Sequence, residues 1–151
     1  MVYHTIVKKI AAQNFERVNV KDHEAILKGC TDNIKHRFGG DHALGGERND
    51  KEHLRQWFQR LAICAPGLKL TVRNTWVKGG PWDTTIIIRW TATDTFPNGK
   101  PYNNHGVHII KMAWFKVYDI DANEDSQVVD RMMKAQAEAG VKEAAMPPIV
   151  S

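Results

Sequence analysis

The chain has little cysteine. Cys30 and Cys64 are the only two in 151 residues, too few for a disulfide framework and without the spacing of a zinc site. Two thiols could still pair once, but a reducing cytoplasm is the compartment expected from this usage. No apolar run approaches the ~20 residues that a membrane span needs. The start, Met1-Val2-Tyr3-His4, offers neither the basic region nor the apolar stretch of a signal peptide. Repeats, low-complexity segments and linkers are also missing, so residues 1–151 are expected to form one domain. Basic residues are in excess, with a net charge of +4 and a pI of about 9.1. They are nevertheless scattered, with acidic residues beside most of them. A nucleic-acid surface needs clustering, so no nucleic-acid partner is expected, and no membrane partner either. With 42% hydrophobic and 25% charged residues, the composition is that of an ordinary globular domain.

The apolar pattern has helical spacing first and strand spacing later. Tyr3, Val7, Ile10, Ala11, Phe15 and Val18 predict an amphipathic helix over 3–19, with Asn14 as a lone amide on the apolar face. Asp22 caps a short helix over 22–28, and Gly29 ends it. Residues 31–38 alternate as a strand, with Ile34, His36 and Phe38 on one face. Gly39 to Glu47 is a glycine-rich loop. It lacks the Lys-Ser or Lys-Thr of a phosphate loop and the dinucleotide spacing. Asn49 with Glu52 is a capping-box pattern for a third helix, whose stripe is Leu54, Trp57, Phe58, Leu61 and Ala65.

From Leu68 the period becomes two. Strands are expected over 68–77, 83–94, 102–113 and 117–123, with turns at Gly79-Gly80-Pro81, Pro97 to Pro101 and 114–116. Asp125 or Ser126 caps a last helix through Ala139, with Val129, Met132, Met133 and Ala137 as its stripe. The order predicts an α+β class: a curved antiparallel sheet wrapped around the N-terminal helices, with a pocket between them.

Several landmarks lie in a telling order. They are Asn14-Phe15, Asp22, Gly45-Gly46 before Trp57-Phe58, Gly79-Gly80-Pro81-Trp82, the run from Asn98 to His108, Gly140 to Ala145, and Pro147-Pro148. Taken together the chain resembles the nuclear transport factor 2-like superfamily, and within it the SnoaL-like and ketosteroid isomerase-like group. The resemblance implies a cone-shaped α+β barrel with a deep apolar pocket, commonly a homodimer through the outer face of the sheet. It implies proton-transfer chemistry without a metal or organic cofactor, on an apolar cyclic or polyketide-like ligand.

It also suggests positions. Asn14 falls where ketosteroid isomerases place an enolate-stabilising tyrosine, and an amide can donate to an oxyanion. His108 falls near the second, protonated acid of that family; it could donate to an oxyanion or take a proton. Asn104, four residues earlier on the same face, is its expected orienting partner. His36 falls near the catalytic aspartate, where this chain has no carboxylate, and becomes the replacement base, or else a histidine on the rim. His42 is placed at the pocket mouth as a substrate contact, or else on an exposed loop. Trp57, Phe58, Trp76, Trp90 and Met132 are expected as core, some of them facing the pocket, and Trp57, Trp90 and Phe15 are the expected substrate contacts.

Other chemistries fit less well. His105 and His108 are three apart on a strand and point to opposite faces, so no metal site is expected. Limonene-epoxide hydrolases need an Arg and an Asp two apart on the middle strand. Trp90 and Ala92 occupy those positions here, with Arg89 and Asp94 out of phase. Asp125 matches that family's last aspartate but also serves as a helix cap. Arg37, Arg48, Arg55 and Arg60 are taken as solvated surface. The leading expectation is a cofactor-free isomerase, cyclase or dehydratase using His108, Asn14 and His36. A non-catalytic dimeric ligand-binding module is the alternative.

Overall fold

The computed structural model describes residues 2–151. Helix α1 spans Val2–Asn19 and α2 spans His23–Lys28. Strand β1 runs Cys30–Phe38, β2 Gly46–Arg48, and helix α3 Lys51–Cys64. Four further strands follow, β3 Lys69–Gly80, β4 Asp83–Thr95, β5 Pro101–Ala113 and β6 Lys116–Glu124, and then α4 Ser126–Glu138 and a 3-10 turn, Lys142–Ala145.

The strands form one curved, unclosed sheet in the order β2-β1-β6-β5-β4-β3. Every neighbouring pair is antiparallel except β1 and β6, which run parallel. The meander β3 to β6 needs only short turns. Strand β1 arrives from the helices and joins that meander at its far side. Along β4, Thr84, Ile86, Ile88, Trp90 and Ala92 are buried and their neighbours are not, which is the period-two burial of a sheet covered on one side.

Helix α1 lies across the concave face with Val7, Ala11 and Phe15 buried. Its end is tied to edge strand β3 by Asn19, which donates to the Leu70 carbonyl at 2.9 Å and accepts from the Leu70 amide at 2.7 Å. Asp22 accepts from the Ala25 amide and caps α2, and Asp125 accepts from the Gln127 amide and caps α4.

Three local expectations are corrected. The cap of α3 is Asp50, whose carboxylate accepts from the His53 amide at 2.8 Å; Asn49, just after β2, instead bonds to Ser151. Strand β3 continues through Gly79-Gly80, so the turn is Pro81-Trp82. Trp76 is not core: it lies on the convex face and is 52% exposed, paired with Ile87.

Two apolar clusters make the interior. One joins α1 to β4 and β5 through Phe15, Ile88, Trp90 and Met112. The other joins α2, α3 and α4 to β1 and β6 through Leu27, Ile34, Leu54, Trp57, Ile120 and Met132. Where the two fail to meet, a cavity remains.

Candidate functional site

The cavity has a volume of about 140 Å³ and draws its walls from both clusters, with Phe15, Trp90 and Ala92 on one side and Ile26, Trp57, Phe58 and Met132 on the other. That is close to the ~150 Å³ apolar cavity that accepts a benzene ring. A smaller cavity shares Val18, Leu61, Ala65 and Leu68 with it and adds Lys21 and His23, between the end of α1, α3 and the start of β3. The wall is mainly apolar, and its polar members are Asn14, His36, Tyr102, Asn104 and His108.

His108 points into the cavity from β5, on the same face as buried Asn104 and Met112. Its neighbour His105 is exposed. The His108 Nδ1 accepts from the indole Nε1–H of Trp90 at 2.7 Å. An indole nitrogen can only donate, so Nδ1 must carry the lone pair and the ring proton sits on Nε2. Burial of the ring pushes its pKa down to about 4. His108 thus faces a mainly apolar cavity, and at neutral pH the ring is an uncharged donor.

His36 is held by the same logic. It is 2% exposed, packs against Trp57, and its Nδ1 lies 2.7 Å from the Arg48 Nη1. A guanidinium has no acceptor, so Nδ1 is again the lone pair and Nε2 the protonated atom. Burial, then the Arg48 charge, then His108 hold its pKa well below the usual histidine range. The rim position is thus corrected: His36 lies deep because β1 alternates and Ile34 and His36 share its buried face. Its Nε2 has no lone pair with which to act as a base.

Tyr102 lies two residues before Asn104 on the same inward face. The Asn104 amide donates to the Tyr102 hydroxyl at 3.1 Å and to the Asp125 carbonyl at 3.2 Å, while its oxygen accepts from the His105 amide. Asn104 is thus the partner of Tyr102, and the partner of His108 is Trp90. Asn14 reaches the wall from α1 with its oxygen held by Arg17 at 2.9 Å, leaving the amide N–H groups as what it can offer.

His42 does not belong to the site. It is 8% exposed, absent from the cavity wall, and its Nδ1 accepts from the Leu44 amide at 3.2 Å. The loop folds inward because Ala43 and Leu44 are core, and this takes the histidine with it. Arg48 is not solvated surface either; it is fully buried. Arg60 is partly buried and donates to the Ala43 and Pro147 carbonyls. Gly106 leaves no space for a ligand. A Cβ there would lie 2.5 Å from the Trp90 ring, which already fills the gap.

Among the described residues no group of His, Cys, Asp or Glu could hold a metal ion, and no helix is long and apolar enough to cross a membrane. Cys30 and Cys64 are buried free thiols.

This geometry accompanies a clear family match, because the SnoaL-like domain family matches residues 11–120. The chain belongs to the SnoaL-like family. No curated protein matches the sequence. Among solved structures, PrhC from Penicillium brasilianum NBRC 6234 is 16% identical, with a TM-score of 0.76 over 95% of this chain and 96% of that one. TerC, crystallised with polyporic acid, is 18% identical, with a TM-score of 0.71 over 85% and 97%. IdmH from Streptomyces antibioticus, a candidate polyketide cyclase, is 16% identical, with a TM-score of 0.68 over 85% and 97%. At such identities the shared feature is the SnoaL-like cone itself. Its cavity supports many chemistries, so function must be argued from the polar groups on this chain's wall.

Proposed function

We propose that this SnoaL-like protein is a small-molecule enzyme of the isomerase, cyclase or dehydratase type, acting on an apolar cyclic or polyketide-like carbonyl compound. The supporting observation is the pair of neutral imidazoles, buried His36 and half-buried His108, each with Nδ1 occupied and Nε2 protonated, on a mainly apolar wall. A carbonyl oxygen accepting from the His108 Nε2–H would be stabilised as negative charge develops on it, which acidifies the adjacent C–H. Asn14 and the Tyr102 hydroxyl would add donors. No carboxylate lines the cavity and neither imidazole Nε2 carries a lone pair, so the C–H proton would pass to solvent water and the wall donors would hold the resulting enolate; substrates that are already acidic are favoured. The donors are side chains of this chain, and the mechanism uses no cofactor.

The same lack of a wall carboxylate favours the second reading, a binding module that retains the cavity without turnover. Screening cyclic ketones, epoxides and polyketide mimics separates the two. Trp57 and Trp90 line the cavity, so binding should quench tryptophan fluorescence saturably. Turnover that falls about 10²-fold in His108→Ala supports the enzyme. Saturable binding with no turnover of any compound supports the module.

The proposal includes a homodimer. Trp76, Ile87 and Ile109 stand in register on the convex face of β3, β4 and β5, with Trp76 52% and Ile109 38% exposed. An apolar row of this kind is suited to cover by a second copy. The free buried thiols fit a reducing cytoplasm.

A further inference from the structure

Arg48 is a buried cation without an anion. It is 0% exposed. Its Nε donates to the Ile149 carbonyl at 2.9 Å, its Nη2 to the Gly45 carbonyl at 2.9 Å, and its Nη1 faces His36. All three acceptors are neutral, and among the described residues Arg48 forms no ion pair with a carboxylate. Burial lowers its pKa to about 10, which leaves it charged at neutral pH. Buried charges are ordinarily paired, because an isolated one is costly. Here the cation stands directly behind an imidazole on the cavity wall and 5.6 Å above the ring of Trp57, another wall residue.

The surrounding charges do not cancel it. Arg60 on α3 adds positive charge, and Glu47 on β2 is the acidic group that acts on Arg48; the Glu47 carboxylate is hydrogen-bonded to Asn49. His36 feels Arg48 and His108. His108 feels Asp121, a surface carboxylate already held by Arg37. The wall around His36 and His108 thus combines two N–H donors with an uncompensated positive charge and offers no basic lone pair on either imidazole.

We propose that Arg48 is a positioning and specificity-determining residue: by fixing the His36 tautomer and charging the cavity floor, it makes the pocket select the anionic form of its ligand, an enolate or phenolate of a compact cyclic compound. This rests on the cavity being the ligand site. It goes further by naming the charge state that is bound and the residue that decides it. An anion accepting from the His36 Nε2–H would complete the missing half of a charge pair that the fold leaves open.

A nitrophenol is the probe, because its phenolate absorbs in the visible and its phenol does not. The corresponding nitroanisole serves as a neutral isostere. In the wild-type protein the phenolate should bind at least tenfold more tightly than the phenol, which lowers the bound ligand's pKa by one or more units, and nitroanisole should bind like the phenol. Arg48→Met should abolish the preference while still binding nitroanisole as well as wild type. The imidazole ¹⁵N signals should show His36 protonated at Nε2 in wild type and a tautomer mixture in the variant. Equal wild-type binding of phenol and phenolate overturns the inference and leaves the ligand site standing. A preference that survives in Arg48→Met overturns the role of Arg48. Failure of nitrophenol and nitroanisole to bind at all overturns both. If Arg48→Met does not fold, the wild-type measurements decide, and a His36 protonated at Nδ1 sinks the proposal.

Discussion

Replacing His108 with Gln should remove a measurable part of the protein's acid sensitivity. The His108 ring is neutral in the fold, with its pKa pushed down to about 4 against an ordinary 6.5. In the unfolded chain it takes a proton near pH 6.5, and in the folded chain only near pH 4. Its contribution to stability is therefore full above pH 6.5 and is lost as pH falls through 4. At roughly 1.4 kcal/mol per pH unit, the whole window is worth about 3 kcal/mol. The Trp90 N–H can bond the glutamine oxygen, so the variant keeps an acceptor in place. Other groups titrate in the same range. His36 acts in the same direction. Glu124 acts in the opposite one, since burial raises its carboxyl to about 7, and its contribution is lost as pH rises through that value. Subtracting the variant's urea-unfolding free energy from the wild type's at each pH cancels Glu124 and all of the His36 contribution except the part that depends on His108. The difference should shrink by about 3 kcal/mol between pH 6.5 and 4, at up to ~1.4 kcal/mol per pH unit. A difference that stays flat to within ~0.5 kcal/mol would refute the neutral His108 of the cavity wall.

On the enzyme reading, His108→Ala should cost about 10² or more in turnover, while His105→Ala on the exposed face should leave it unchanged. Trp90→Phe removes the indole donor, and should cost about 1 kcal/mol in urea unfolding and release the His108 tautomer in ¹⁵N spectra. Gly106→Ala places a Cβ 2.5 Å from both the Trp90 ring and the Asn123 carbonyl; it should lower the melting temperature and disturb the Trp90–His108 bond, and an unchanged melting curve would contradict the packing. Light scattering should give twice the 17.2 kDa chain mass and the monomer mass for Ile109→Lys; a wild-type monomer at micromolar concentration would remove the convex-face dimer.

Much of the fold could be read from period alone. The alternation from Tyr102 to Ala113, with Lys111 marking the outer face, indicates that His108 and Asn104 face inward, and the structure puts both on the cavity wall. Asp22 and Asp125 are caps because a carboxylate before an apolar-periodic segment has backbone donors within reach. What was hidden depended on long-range partners. Strand β2 is three residues long, too short for any period, so nothing local marks Arg48 as buried, whereas the alternation of β1 points Arg37 outward. The parallel pairing of β1 with β6 joins segments about 85 residues apart and leaves no local trace. His42 lies in a loop whose glycines suggest exposure, yet Ala43 and Leu44 carry it inward. The tautomers of His36 and His108 depend on Arg48 and Trp90, 12 and 18 residues away in sequence. Tyr102 had a usable signal, since it shares the alternation of Asn104.

The central claim is that a ligand enters this cavity and accepts a hydrogen bond from His108. The most direct measurement is the long-range ¹H–¹⁵N spectrum of the imidazoles while a small aromatic ketone is added. The free protein should show His108 protonated at Nε2 and not at Nδ1. Saturating ketone should shift that Nε2–H signal and leave exposed His105 unmoved. A His108 protonated at Nδ1, or an Nε2–H signal indifferent to a ketone that quenches Trp57 and Trp90, would contradict the account.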